Sequence, residues 1–219
     1  MSQLSFLQQI VIWALPLLFA ITFHEYAHGW IADKLGDPTA KMLGRLTLNP
    51  IKHIDPIGTI VVPIALLFLS GFSFTFGWAK PVPITWQNLK NPRRDTALVA
   101  AAGPGANFLM AIFWAIILKI ALILSPQTNM TALFMAYTGS IGILINLILM
   151  VLNLLPMPPL DGGRVASSLL PTKAARVLDR IEPYGFFILL GLIVTGVLKY
   201  ILLPPVFFIR QIFTAVFGL

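Results

Sequence analysis

The stretch FHEYAHGW, residues 23–30, carries His24, Glu25 and His28 in the pattern H-E-x-x-H. On a helix, positions four apart share one face. Two imidazoles so placed can ligate one Zn²⁺ ion, and Glu25 can act as general base toward a water at the metal. The same pattern arises by chance in soluble helices. Here residues 6–23 are mostly apolar, and GWIA, residues 29–32 just after the motif, is apolar again. An ionisable side chain in such a segment costs about 2.5–3.5 kcal/mol on insertion scales, so its presence marks function. The chain has three histidines, and two of them are in this motif.

A catalytic zinc takes three protein ligands and keeps one position open. The candidates for the third are Asp161, Asp55, His53 and Asp33. Asp161 stands in NLLPMPPLDGG, after an apolar run. Its prolines and glycines can unwind a helix near a metal, which membranes tolerate where the backbone lines a cavity. The same residues read equally as a turn whose aspartate caps the next helix. His53, in NPIKHIDPIG, can reach the site from a loop or remain a loop residue. Asn107, Asn146 and Asn153 are candidate clamps on substrate backbone or oxyanion donors. For Asn107 and Asn146, hydrogen bonds between helices are an equal alternative.

The elements that position these groups belong to a membrane. Of 219 residues, 58% are hydrophobic and 11% charged, with mean hydropathy +0.87. These values exclude an ordinary soluble domain. The absence of cysteine excludes disulfides, cysteine ligands and a cysteine nucleophile together. The net charge of +7 resides between apolar segments, so it reads as topology signals and headgroup contacts rather than nucleic-acid binding. The apolar N-terminus lacks a positive n-region, since the first basic residue is Lys34. It reads as a retained helix rather than a cleaved signal.

The expected fold is an all-α polytopic bundle of about five to six transmembrane helices, forming one domain over residues 1–219. A short β-like region is expected between the first two core helices. The segments are a metal-motif helix at 4–32, loops with strand-like and re-entrant parts at 33–94, and helices at 95–124 and 132–162. An interfacial helix follows at 172–182, a spanning one at 184–203 and a partial one at 206–219. Alternation in KMLGRLTL and FSFTFGW suggests strands, and edges at 40–48 or 72–84 suit strand addition by an extended substrate.

Charge sets the topology. Four of the 15 basic residues fall in each of 33–55, 72–94 and 159–182, which makes these loops cytoplasmic. The turn at 125–131 has none and lies outside. The N-terminus is then outside and the active site faces the cytoplasm. Residues 57–71 lie between two cytoplasmic loops, so they re-enter rather than cross once.

FHEYAH at 23–28 together with NLLPMPPLDG at 153–162 resembles the site-2 protease family of intramembrane zinc metalloproteases. GWAKPVP at 77–83 and AAGPGAN at 101–107 are similar to further segments of its compact prokaryotic members. The resemblance implies a zinc cofactor held by His24, His28 and Asp161, with Glu25 as catalytic acid/base and Asn153 near substrate. It implies transmembrane protein substrates in a lipid bilayer. It also implies strands around 40–80 that dip into the membrane. No inserted PDZ domain or appended CBS domain is present, and the helix that precedes the metal helix in some members is not seen.

The competing class is a non-proteolytic zinc scaffold or divalent-metal transporter. Transporters often carry inverted repeats and intramembrane acids. No repeat is evident, and the eight acidic residues lie mostly in loops. Neither a facing aspartate pair nor a Gly-x-Ser-x-Gly turn is present, which removes the other intramembrane protease classes.

Overall fold

The computed structural model describes residues 4–69 and 77–219. Four helices among them are long and apolar enough to cross a membrane: Phe6–Leu35 (α1), Pro92–Ile123 (α4), Met130–Asn153 (α5) and Val197–Phe217 (α8). The protein is an all-helical, multi-pass membrane protein. Shorter helices are Thr39–Met42 (α2), Val62–Leu69 (α3), Asp161–Leu169 (α6) and Thr172–Val194 (α7).

Local chemistry sets the helix ends. Ser5 caps α1 through a reciprocal pair with Gln8, and Gly36 ends it at φ 115°. Asn129 caps α5 by accepting from the N–H groups of Thr131 and Ala132. Between α4 and α5 lies only the tight, uncharged turn read from the sequence. The two helices pack closely because α5 has glycine where α4 has bulk. A Cβ on Gly142 would overlap Trp114, and one on Gly139 would lie 3.0 Å from Leu118. Around this seam sit Ala111, Leu147, Met150, Leu202, Val206 and Phe213, joining α8 to the pair. α1 packs across α4 and α5 on the other side.

Several expectations are corrected. The helix expected at 132–162 ends at Asn153, and Asp161 opens a separate helix. The expected division into 172–182, 184–203 and 206–219 is replaced by two helices, α7 and α8. The break falls at Gly196, φ 72°, while Pro204 and Pro205 stay inside α8. Glycine enters the left-handed region without a Cβ clash, which makes it the easier place to turn. α7 is not among the four candidate spans.

No strand forms among the described residues. KMLGRLTL begins within α2 and turns at Gly44, φ 62°, so its first half is helix and turn. The facing segment at 77–83 contains Pro81 and Pro83, which lack the N–H a ladder needs. Residues 72–76 of FSFTFGW lie outside the described residues. Between the first two long helices, residues 56–69 form a π-turn, Pro56–Val61, running into α3. That is about 21 Å of helix, short of the roughly 30 Å hydrocarbon core.

Candidate metal centre

His24 and His28 lie one turn apart on α1, and Asp161 is the first residue of α6. Three atoms converge. His24 Nε2 is 3.0 Å from His28 Nε2. Asp161 Oδ2 lies 3.2 Å from the first and 3.3 Å from the second. Ligands at about 2.0–2.1 Å from a tetrahedral zinc stand roughly 3.3 Å apart, so the triangle matches one face of that polyhedron.

The outer nitrogen of each imidazole is already committed. His24 Nδ1–H donates to Asn107 Oδ1 at 2.6 Å, and His28 Nδ1–H donates to the Val99 carbonyl at 2.7 Å. Both partners can only accept through these oxygens, so each neutral imidazole keeps its lone pair on Nε2. Two states are then open to the trio. A proton on one Nε2 makes an ion pair with Asp161. Burial raises the Asp161 pKa, but the contacts with His24 and His28 outweigh it and hold the carboxyl below the usual carboxylate range. Without that proton, three acceptors face each other and Asp161 Oδ2 is a buried oxygen with no donor. A cation is what such a set lacks.

Gly103 of α4 makes the room. A Cβ there would overlap His28 Nε2 and lie 2.6 Å from His24 Nε2. Val99, Gly103 and Asn107 follow at spacing four, so one face of α4 receives one imidazole, clears space, and receives the other. In the sequence Gly103 stands out only as part of the AAGPGAN segment at 101–107. The spacing of four within LVAAAGPGAN was the signal for its wider role.

Local packing delivers Asp161. A Cβ on Gly162 would overlap the Leu154 and Leu155 carbonyls, and one on Gly163 would overlap Met157 and Pro158. The loop from α5 therefore folds back on the helix it starts. The alternative reading of PPLDGG as a capping turn does not hold, because Leu160 is the N-cap and no side chain caps α6. Arg93 of α4 fastens the far end of α6, with Nε donating 2.8 Å to the Ser168 carbonyl and a terminal nitrogen donating to Leu170. Arg164 ties α6 to Glu182 of α7 at 2.8 Å.

Glu25 is half-buried and accepts a 2.7 Å hydrogen bond at Oε2 from the Val82 N–H. Val82 lies in an extended run in which alternate amides point one way. Trp78 N–H donates to Gly58 and Lys80 N–H to His53. Arg45 holds the same run through the Lys80 and Pro81 carbonyls. Sequence reading missed this role for Val82, since a backbone donor leaves no mark in residue type.

The other candidates are elsewhere. His53 is buried, with Nε2 at 2.9 Å from the Thr47 carbonyl. Asp55 accepts from Ile57 N–H and Gly58 N–H at the start of the π-turn. Asp33 pairs with Lys41 at 3.6 Å. None of the three joins the grouping of His24, His28 and Asp161. Asn153 turns back on its own helix, Nδ2 donating to the Leu149 carbonyl. Asn146 is fully buried against Asn107.

Residues 123–195 match the family model described as "Peptidase family M50". The "Putative zinc metalloprotease YwhC" of Bacillus subtilis (strain 168) is 41% identical over 92% of this chain and 87% of its own length. The chain belongs to peptidase family M50. "Putative zinc metalloprotease Rip2" of Mycolicibacterium smegmatis is 30% identical over 83% of this M50 chain and 66% of its own. "Regulator of sigma-E protease RseP" of Escherichia coli is 33% identical over 50% of the chain and 25% of its own. No solved structure matches. The family is a peptidase family, which agrees with the zinc protease implied by the paired motifs and not with a scaffold or transporter.

Proposed function

We propose that this chain is an intramembrane zinc metallopeptidase that hydrolyses peptide bonds in or beside transmembrane segments of other membrane proteins. The observation that carries it is the convergence of His24 Nε2, His28 Nε2 and Asp161 Oδ2 at 3.0–3.3 Å from one another. In this reading His24, His28 and Asp161 hold zinc. Bound there, zinc supplies Lewis-acid polarisation of the scissile carbonyl and lowers the pKa of a water toward about 7. Glu25 takes the proton of the attacking water and returns it to the leaving amine. The Val82 N–H holds Glu25 Oε2, so Oε1 is the oxygen that works on the proton.

A substrate helix must unwind before its amides can be attacked, since helical carbonyls are hydrogen-bonded. Asn153 and His53 are the residues proposed to meet the extended substrate. Asn107 is assigned to His24 instead, because its amide is fully engaged within the protein. The basic loops are proposed to be cytoplasmic, with the N-terminus outside. That orientation suits release of a membrane-held regulator into the cytoplasm, and one relative is itself named a regulator protease.

The test pairs metal content with cleavage. Wild type, Glu25→Gln, His24→Ala and Asp161→Asn are purified in detergent, and zinc and cleavage of a transmembrane-helix substrate are measured. Glu25→Gln is expected to keep about one zinc and lose cleavage, while the other two lose both. Cleavage by Glu25→Gln at the wild-type rate would sink the assignment.

A further inference from the structure

We propose that Asn146, on α5, acts through Asn107 as a polarity lock that keeps the His24 proton on Nδ1 and leaves Nε2 bare for zinc. The inference rests on the metal reading above and names positioning residues that touch neither zinc nor substrate.

The argument starts at a backbone carbonyl. Gly142 O, one turn before Asn146 on α5, accepts from Asn146 Nδ2 at 2.8 Å. A carbonyl cannot donate, so Asn146 must present its NH₂ there and turn Oδ1 the other way. That oxygen accepts from Asn107 Nδ2 at 3.1 Å. The same NH₂ also donates to the Ala20 carbonyl of α1 at 3.1 Å. Two acceptors therefore fix the Asn107 amide, and its Oδ1 must face His24. His24 answers by placing its proton on Nδ1, at 2.6 Å.

Reversal of any one amide breaks the chain. An Asn107 flipped to show NH₂ to His24 would drive the histidine proton to Nε2, where the metal lone pair must be. Its oxygen would then face two other oxygens with no proton between them. Asn107 and Asn146 are both 0% exposed, so no water can repair the mismatch. His28 needs no such device, because the Val99 backbone carbonyl fixes it directly. His24 alone depends on side chains that could point two ways. Two neutral amides do this without placing a further charge in an apolar bundle.

The alternative is that the two asparagines only hold α1, α4 and α5 together. The two readings differ in what moves. Zinc-free wild type, labelled with ¹⁵N-histidine in detergent, is expected to show His24 as the Nδ1–H tautomer. The chain's three histidines can be assigned by single substitutions. Asn146→Leu removes the lock at similar volume. It is expected to shift His24 toward Nε2–H and to weaken zinc affinity about 10-fold or more by chelator competition. Asn146→Asp keeps an oxygen toward Asn107 and is expected to retain affinity within about threefold. In Asn107→Leu/Asn146→Leu the loss should equal that of Asn107→Leu alone, since the lock acts through Asn107.

An Nε2–H His24 in wild type overturns the proposal, whatever any variant does. Losses that multiply in the double variant, or an Asn146→Leu protein with wild-type zinc affinity and tautomer, overturn it too. If wild type holds no zinc, the metal reading fails, while the tautomer measurements still decide the lock.

Discussion

The backbone N–H of Val82 donates a 2.7 Å hydrogen bond to Oε2 of Glu25, 57 residues away in the chain. The contact joins a helix in the membrane to an extended run of loop. Flanking prolines at 81 and 83 stiffen that run, and hydrogen bonds with Arg45, His53 and Gly58 hold it. The Val82 side chain also meets α1 at Gly29, where a Cβ would lie 3.0 Å from Cγ1. Glu25, the proposed proton carrier, is thus oriented by a donor that no side-chain pattern encodes.

Replacing Val82 by proline deletes that donor while suiting extended backbone. Val82→Pro is expected to keep zinc and to lose cleavage roughly 10- to 100-fold, the scale of a mispositioned reacting group. Val82→Ala keeps the N–H and should cleave within a few-fold of wild type. Rates measured with zinc content on the same preparations check this. Full activity in Val82→Pro would mean Glu25 needs no such support.

The face of α4 beneath the imidazoles makes a second expectation. Gly103→Ala puts a methyl group against both Nε2 atoms and should weaken zinc binding about 10- to 100-fold. Gly105→Ala is the matched control, because nothing lies within 4 Å of its Cβ position. Chelator competition on both variants reads the difference. Equal affinities would show that the site does not need the space at Gly103.

What the sequence could reveal follows from what it encodes. H-E-x-x-H on an apolar helix gave both imidazoles, because helical spacing is local. The PPLDGG run put Asp161 first among four candidates, but only the resemblance to a family favoured a ligand over an ordinary turn. Its position depends on glycines meeting carbonyls in the loop before it, a tertiary fact. Period-two patterning at KMLGRLTL suggested strands, but a ladder needs a partner with free N–H groups, and Pro81 and Pro83 withhold them. A break was expected between residues 203 and 206, yet Gly196 turns the chain instead. The polarity of the Asn107 amide is set by the Ala20 carbonyl on α1 and by Asn146 on α5, so no local pattern could report it.

Asp37 supplies a pH dependence. It is fully buried between α1 and the loop near residue 85. Its carboxylate accepts from Thr85 N–H at 2.7 Å, Asn88 Nδ2 at 2.9 Å and Thr39 N–H at 3.2 Å, as well as from the Thr39 hydroxyl. Burial raises its pKa, but the donors outweigh it, Thr39 foremost, and hold it below the usual value. A depressed carboxyl stabilises the fold above the unfolded pKa of about 3.9, and that contribution is lost as pH falls through the folded value. Asp37→Asn strands some of these donors and should destabilise by about 1–3 kcal/mol at pH 7. The gap in melting temperature between wild type and variant should narrow from about pH 5 to pH 3. A gap that is constant with pH would refute a charged Asp37.

Topology can be read by chemistry because the chain lacks cysteine. Single cysteines at Thr128, in the turn before α5, and at Lys173, at the start of α7, report opposite sides. The charge distribution places the basic loops in the cytoplasm. A membrane-impermeant maleimide added to intact cells is therefore expected to label Thr128→Cys and spare Lys173→Cys until the cells are broken. The reverse pattern would put the basic loops outside. Asp161 lies between those loops and the bundle, so the same labelling also decides from which side the metal centre is reached.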